Sequence, residues 1–173
     1  MVSSTRFTER LRLESVGLHL FDDLFAIHQD EGIARWYGGK WTAEFVRNQA
    51  ETFAKGWETH GVSKWIAYDK VSGELIGRGG PSRVFVDGAE RYELGWGLLE
   101  RFWGRGYATE IGRAGLEFVF ETFDTDEVVA FTEPHNIRSR AVMERLRMRY
   151  DRDIVQGDEE FVLYVMRRED FVR

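Results

Sequence analysis

The sequence contains no cysteine and only two prolines, and it lacks any long apolar run. The absence of cysteine excludes disulfide bonds, thiolate metal ligands and a cysteine nucleophile. No stretch approaches the roughly 18 apolar residues of a membrane span, so we expect a cytoplasmic protein with no membrane partner. We also expect no bound metal, because the four histidines are scattered without the spacing of a metal site: His19, His28, His60 and His135.

The sequence also has fewer basic residues than acidic ones. The formal net charge is −6, from 30 acidic residues against 24 lysines and arginines. This balance argues against a nucleic-acid partner and mildly favours cationic partners such as amines. A local exception is the basic segment NIRSRAVMERLRMRYDR, residues 136–152. At helical spacing such a cluster is usually a solvated face, although it could also receive an anionic ligand.

The remaining composition fits one domain over residues 1–173, with 43% hydrophobic content and no repeat or linker. The sequence predicts an α+β fold in which a mixed, mostly antiparallel sheet of about six or seven strands carries helices on both faces. Turn signals at Val71-Ser72-Gly73 and Asp87-Gly88 predict two hairpins in the middle of the chain. Helical patterns cover residues 19–29, 42–59, 108–123 and 136–148, with Thr42 as an N-cap of the second.

The most informative stretch is LGWGLLERFWGRGYATEIG, in which Gly104 and Gly106 lie between an apolar strand and an amphipathic helix. Glycines here leave backbone N–H groups unshielded at a helix N-terminus, where an anion is favoured. The alternative is a tight turn that happens to need glycine. The dinucleotide fingerprint fails at Thr109, and GIARWYGGK mimics a Walker loop but has Trp41 where Ser or Thr is required. A nucleotide-binding protein is therefore disfavoured.

The segment RFWGRGYATE closely resembles the acetyl-CoA pyrophosphate loop of the GNAT superfamily, the general N-acetyltransferases, whose pattern is [Q/R]-x-x-G-x-[G/A]. VVAFTEPHNIRSRAVMERL resembles the following strand and helix of that superfamily. The order of elements matches over nearly the whole chain, and the branch it most resembles contains the ribosomal-protein alanine N-acetyltransferases. The resemblance implies a GNAT-like fold and an enzyme that moves an acetyl group from acetyl-CoA to an amine.

The resemblance also implies which residues contact acetyl-CoA. Backbone groups of Leu98 and Leu99 would pair with the pantetheine arm, and one N–H there would bind the oxyanion. Asn136 would bond the pantetheine or orient the thioester, although it is equally explained as a helix N-cap. The pyrophosphate would be held by the loop over Arg101, Trp103, Gly104, Arg105, Gly106, Tyr107, Ala108 and Thr109.

Two carboxylates are candidates for the general base. Alternation along YELGWGLL puts Glu93 on the same face as Gly95 and Gly97, which leaves room for a cofactor arm and a substrate. A carboxylate on a central strand should lose water and become a stronger base. The alternative is a buried glutamate satisfied by a neighbouring Arg or Tyr. Glu133, at the end of the VVAFT strand, is the competing base, although turn chemistry before Pro134 explains it as well.

The proton donor to the leaving thiol is the point at which this chain departs from the family. Many members of the superfamily place a tyrosine on the late helix, but this chain has Met143 there. Ser139 resembles a serine of the ribosomal branch and could serve instead, or it could simply bond the backbone of the first helical turn. A second departure is Arg147, where the family normally has glycine, so the end of this helix is expected to differ.

Acceptor binding is predicted for Trp36, Tyr37 and Trp41 in the segment ARWYGGKW, where an aromatic pocket would suit an apolar acceptor and assist an amine by cation–π contact. The acceptor would be a small-molecule amine or a peptide N-terminus. The missing tyrosine supports one alternative, a noncatalytic acyl-CoA-binding regulatory module. A homodimer is plausible.

Overall fold

A mixed sheet of eight strands organises residues 5–173, which are the residues that the computed structural model describes. The strands lie in the order β1-β2-β3-β4-β5-β6-β8-β7, and every neighbouring pair is antiparallel except β5 and β6, which are parallel. This confirms the predicted α+β class. The strands are β1 (Arg6–Phe7), β2 (Leu11–Ser15), β3 (Trp65–Asp69), β4 (Leu75–Val86), β5 (Ala89–Leu98), β6 (Glu127–Thr132), β7 (Arg149–Gln156) and β8 (Glu159–Arg167).

The predicted hairpins form the centre of this sheet. β3 and β4 are joined through the turn that contains Gly73, and β4 and β5 are joined by Asp87 and Gly88. Both residues of the second turn have positive φ angles, 48° and 77°, as a two-residue type I′ turn requires. Strands β3, β4 and β5 therefore form an antiparallel meander, as the sequence predicted, and β2 pairs antiparallel with the outer edge of β3.

Helices cover both faces of the sheet, also as predicted. Thr42 accepts a hydrogen bond from the Phe45 backbone N–H at 3.2 Å and is the N-cap of the longest helix, α3. The first three helices pack on one face, and the last two pack on the other, where they meet Leu94 of β5. The helices are α1 (Phe21–His28), α2 (Glu31–Ala34), α3 (Ala43–His60), α4 (Tyr107–Thr122) and α5 (Ile137–Arg145).

The sheet has eight strands, whereas the sequence predicted about six or seven. The segments ELIGRGG and SRVFV are one continuous strand, β4, because Pro81 pairs with Leu94 inside the ladder without interrupting it. Strands β1 and β7 were not predicted. β1 is only two residues long, and β7 reads RYDRDIVQ, a polar edge strand in which Ile154 is the one buried residue. Hydrophobic alternation does not reveal such strands.

Arg147, two residues after the end of α5, has a φ angle of 63°, the left-handed conformation that favours glycine. Its N–H donates to the Glu144 carbonyl at 2.9 Å, and the Met148 N–H donates to the Met143 carbonyl at 3.0 Å. These two bonds make a Schellman motif. The helix therefore ends in the geometry that a glycine would give, although a non-glycine residue bears the strain.

Helix α4 follows β5 and leads to β6, so the three elements make the crossover expected between parallel neighbours. Gly115 allows this helix to lie close on the sheet, because a Cβ atom there would come within 2.6 Å of Leu94. None of the helices within residues 5–173 is both long and apolar enough to cross a bilayer.

Candidate active site

Strands β5 and β6 separate at the middle of the sheet. Within the described residues, the register of the two strands contains one pair, Glu93 with Val129, and no pairing continues beyond it. A cavity of about 1010 Å³ opens there, from the glycine loop on one side to α2 and α3 on the other. A sheet that splits in this way exposes backbone donors and acceptors inside a pocket.

The backbone of β5 determines which of these groups face the gap. The Leu99 N–H donates to the Ile76 carbonyl at 3.0 Å, so it points toward β4. Because N–H directions alternate along an antiparallel strand, the N–H groups of Leu98 and Trp96 point the opposite way, into the gap. The expectation that Leu99 offers its N–H to a ligand is therefore corrected, because that N–H is already used within the sheet. The N–H groups that face the gap are those of Leu98, which was predicted, and of Trp96, which was not.

The glycine loop leads directly into α4. Gly104 and Gly106 have φ angles of 72° and 81°, and Gly106 is the N-cap of α4 without any side-chain capping bond. The N–H groups that begin the helix are thus left for another acceptor. The Trp103 N–H already donates to Glu100, so the free donors begin at Gly104. Those predicted loop residues that line the cavity are Trp103, Gly104, Gly106, Tyr107, Ala108 and Thr109.

Two predicted loop residues lie outside the cavity wall. The Arg101 side chain is 61% exposed and pairs with Glu74 at 3.2 Å. Arg105 offers its carbonyl to Arg10 Nη1 at 2.9 Å. Whatever these two residues contribute to a ligand would come from their backbone or from the rim of the site.

Arg10 and Glu110 brace the loop against the first strands. Glu110, in the first turn of α4, accepts hydrogen bonds from Thr8 Oγ1 at 2.6 Å, from the Arg10 backbone at 2.7 Å and from Arg10 Nε at 2.7 Å. Partial burial opposes ionisation, yet these bonds hold the pKa of Glu110 below its usual range. The carboxylate near the helix N-terminus is thereby neutralised by Arg10, which preserves the helix terminus for an anion.

Glu93 lies on the predicted face of β5, together with the side chain of a buried lysine. Lys64 Nζ donates to Glu93 Oε2 at 2.9 Å and to the Gly80 carbonyl at 2.8 Å, and the Ser82 hydroxyl adds a bond to Glu93 at 3.2 Å. The two charged side chains are 8% and 12% exposed. Burial lowers the pKa of Lys64 below its ordinary 10.5, although Glu93 opposes this effect. Glu93 is thus satisfied by a lysine, not by the Arg or Tyr that the sequence suggested.

The opposite wall holds the other predicted polar residues. Glu133 follows β6, receives a hydrogen bond from Thr132 Oγ1 at 3.1 Å and accepts the Asn136 N–H on its carbonyl at 3.0 Å. Asn136 in turn caps α5 by accepting the Ser139 N–H at 3.2 Å. Glu133, Asn136, Ser139 and Met143 all line the cavity. Capping and cavity lining therefore coexist at Asn136.

The predicted aromatic residues also line the cavity. The ring centroids of Trp36 and His135 lie 5.3 Å apart, and this contact joins the segment after α2 to the loop after β6. Trp41 stacks flat on His28 with ring centroids 3.4 Å apart, and Tyr37 meets the same histidine edge-on at 5.4 Å. The aromatic segment is thus partly a packed support for the pocket and partly its wall.

Sequence reasoning missed Lys64 and Arg78, which both face the cavity. Arg78 lies inside β4 between Gly77 and Gly79, and it is only 4% exposed. A charged residue flanked by glycines in an otherwise apolar strand was the available signal. Across residues 5–173 no group of three or more histidine, aspartate or glutamate side chains could hold a metal ion.

Comparison with known proteins decides the family. The model of the acetyltransferase (GNAT) domain matches residues 10–149. The chain belongs to the GNAT family. It is an acetyltransferase, and its fold is that of structurally characterised GNAT enzymes. This membership favours the catalytic alternative over the noncatalytic module and over a nucleotide-binding protein.

Three relatives illustrate the extent of the similarity. The Bacillus subtilis (strain 168) protein YkkB is 28% identical over 158 residues, which are 91% of this chain and 92% of that protein. The crystal structure of an acetyltransferase from Agrobacterium tumefaciens str. C58 has a TM-score of 0.80 at 26% identity, and the match covers 97% of this chain and 96% of that one. The aminoglycoside acetyltransferase AAC(6')-Ib, solved in complex with coenzyme A, has a TM-score of 0.76 at 21% identity, with coverage of 94% and 96%.

Proposed function

We propose that this GNAT enzyme transfers the acetyl group of acetyl-CoA directly to the nitrogen of an amine. One observation carries the proposal. A single cavity runs from the uncapped N-terminus of α4, past the gap between β5 and β6, to the carboxylate of Glu93. Such a cavity provides a place for a phosphate, a place for a thioester and a proton acceptor, in that order.

Acetyl-CoA binding is assigned to the loop and to the gap. The free N–H groups from Gly104 to Thr109 suit the pyrophosphate, because a helix N-terminus favours an anion. The gap-facing backbone of Leu98 suits the pantetheine arm, with Asn136 on the opposite side. A structurally similar enzyme, AAC(6')-Ib, holds coenzyme A.

The chemistry then follows from the side chains around the gap. Glu93 accepts a proton from the attacking amine, directly or through a water, while the nitrogen forms a bond to the carbonyl carbon of the thioester. A backbone N–H of Trp96 or Leu98 stabilises the negative oxygen that develops. The carbon–sulfur bond then breaks, and the Ser139 hydroxyl relays a proton from solvent to the departing sulfur, while the proton taken up by Glu93 passes to solvent. Glu133 remains the competing proton acceptor, since it lines the same cavity.

Lys64 is the ion-pair partner of Glu93, with Nζ 2.9 Å from Oε2, so the proposed base lies beside a buried ammonium. The same pair complicates mutagenesis, because removal of Glu93 leaves a buried ammonium without its partner. A test of Glu93 therefore needs a variant in which both charges are removed.

The acceptor class that we propose is a small-molecule amine or a peptide N-terminus, bound against Trp36, Tyr37 and Trp41. The aromatic walls can contact an apolar acceptor, and their faces attract a protonated amine before it loses its proton. We propose a cytoplasmic enzyme that needs no metal.

The experiment is thiol release from acetyl-CoA with a panel of amines, peptides and amino acids. Glu93→Gln and the double variant Lys64→Met/Glu93→Gln should both lower kcat by about 10²- to 10⁴-fold. Calorimetry should show that coenzyme A still binds. Glu133→Gln is the matched control and should change kcat only a few-fold. The reverse ranking would assign the base to Glu133, and an absence of thiol release with every acceptor would overturn the proposed function.

A further inference from the structure

Arg78 lies on the acceptor side of the cavity, beside the point at which β5 separates from β6. It pairs with Gly97 across the β4–β5 ladder, so its side chain projects on the same face as Gly97 and Glu93. Helices α1 to α3 cover this face. Arg78 is 4% exposed and lines the cavity together with Tyr37 and Phe53.

The guanidinium of Arg78 has no anionic partner within residues 5–173. Its Nε donates to His28 Nε2 at 2.9 Å, and three aromatic rings surround it, with centroids 4.8 to 5.8 Å from Cζ: Tyr37, Trp41 and Phe53. His28 accepts this bond as a neutral ring, because burial and then the charge of Arg78 lower its pKa to about 2, and a neutral imidazole offsets no positive charge. No carboxylate of the described chain lies within ion-pair distance of Arg78.

The neighbouring charges do not supply the missing anion. Glu93 is engaged by Lys64, and Arg78 contributes to the lowered pKa of that lysine, because its charge repels the ammonium. The other carboxylates of the cavity, Glu133 and Glu159, belong to the wall made by β6 and β8. A buried cation without a counterion is costly, and the aromatic faces offset only part of that cost.

We propose that Arg78 binds a carboxylate of the acceptor, so that the substrate of this enzyme is a small amine that carries a carboxylate group. The inference rests on the proposed acetyl transfer. Nε–H is used by His28, which leaves the two terminal amino groups of the guanidinium without a protein acceptor. These groups form the planar fork that carboxylates accept in a bidentate manner. Polycationic acceptors such as aminoglycosides are disfavoured by the same charge.

The test compares amines that differ in this charge alone. Acceptors such as 3-aminopropionate and 4-aminobutyrate are paired with their amides, since a remote carboxylate changes the basicity of the amine little. Wild-type kcat/KM should be about tenfold to a hundredfold higher for the carboxylates, as expected for a charge-assisted bond. Arg78→Met should abolish this preference by raising KM for the carboxylates alone, and Arg78→Lys should restore part of it.

Arg83→Met is the matched control, because Arg83 lies on the same strand but pairs with Glu90 at the surface. It should keep the preference. Equal turnover of carboxylates and amides by the wild-type protein, or an equal loss for both in Arg78→Met, would overturn the role of Arg78. The second result would point to an action on the reaction itself.

Product binding separates this inference from the proposed function. Calorimetry with coenzyme A present should show that N-acetyl-4-aminobutyrate binds about tenfold or more tightly than its amide, and that Arg78→Met removes the difference. If no amine is acetylated but this difference is observed, acetyl transfer fails and the carboxylate site stands. If amines are acetylated but the products bind equally, the carboxylate site fails alone. Arg78→Met should fold, because an apolar side chain of similar length replaces an uncompensated buried charge.

Discussion

Acidification should destabilise this protein through His28. The ring is fully buried, with 0% exposure, stacks on Trp41 and accepts a hydrogen bond from Arg78 Nε. Burial is the larger cause and the charge of Arg78 the smaller one of a pKa that falls from 6.5 to about 2. The folded protein therefore excludes a proton from His28 over most of the acidic range.

The size of the effect follows from this difference. Between pH 6.5 and pH 2 the unfolded chain binds a proton at His28 that the folded protein does not, so the free energy of unfolding falls as pH falls. Each unit below the ordinary pKa corresponds to about 1.4 kcal/mol. The contribution of His28 is fully present at pH 7, and it should decline by about 2 kcal/mol at pH 5.

Urea denaturation at pH 7 and pH 5 measures this decline. His28→Gln keeps an acceptor for Arg78 but cannot gain a charge, so its loss on acidification should be about 2 kcal/mol smaller than that of the wild type. Gln lacks the stacked ring, so the variant will be less stable at pH 7, and only the change with pH is diagnostic. His19→Gln, at an exposed position, should keep the full wild-type loss. An identical pH dependence in wild type and His28→Gln would refute the reasoning.

Three further outcomes are expected from equilibrium unfolding in urea. Lys64→Met should cost about 3–5 kcal/mol because it strands the buried Glu93 carboxylate, and the double variant Lys64→Met/Glu93→Gln should recover most of this loss; additive losses would contradict the ion pair. Arg147→Gly should raise the free energy of unfolding by about 1 kcal/mol through relief of the positive φ angle, whereas a loss would show that its side chain contributes more than the backbone strain. Gly115→Ala should cost about 1–3 kcal/mol, because its Cβ would lie 2.6 Å from Leu94, and a neutral change would mean that α4 can shift.

Local chemistry made much of the fold predictable. The two-residue turn at Asp87-Gly88, the N-cap at Thr42 and the amphipathic pattern of α4 act over a few residues, so the sequence reveals them directly. Strand β7 was not predictable in this way. Its residues are mostly polar, and it joins the sheet because β8 offers a free edge, which is a property of the assembled fold.

The candidate site likewise combines features that local sequence predicts with features that only tertiary packing produces. The sequence by itself determined the glycine loop at the start of α4 and the alternation that puts Glu93 beside Gly95 and Gly97, because both depend on backbone periods and φ angles. Only the tertiary structure decided the electrostatics. Lys64 and Glu93 are hydrogen-bonded although they are 29 residues apart in the sequence. Arg78 and His28 are hydrogen-bonded although they are 50 residues apart. Charges buried in one pocket by the packing of distant elements leave no periodic trace along the chain.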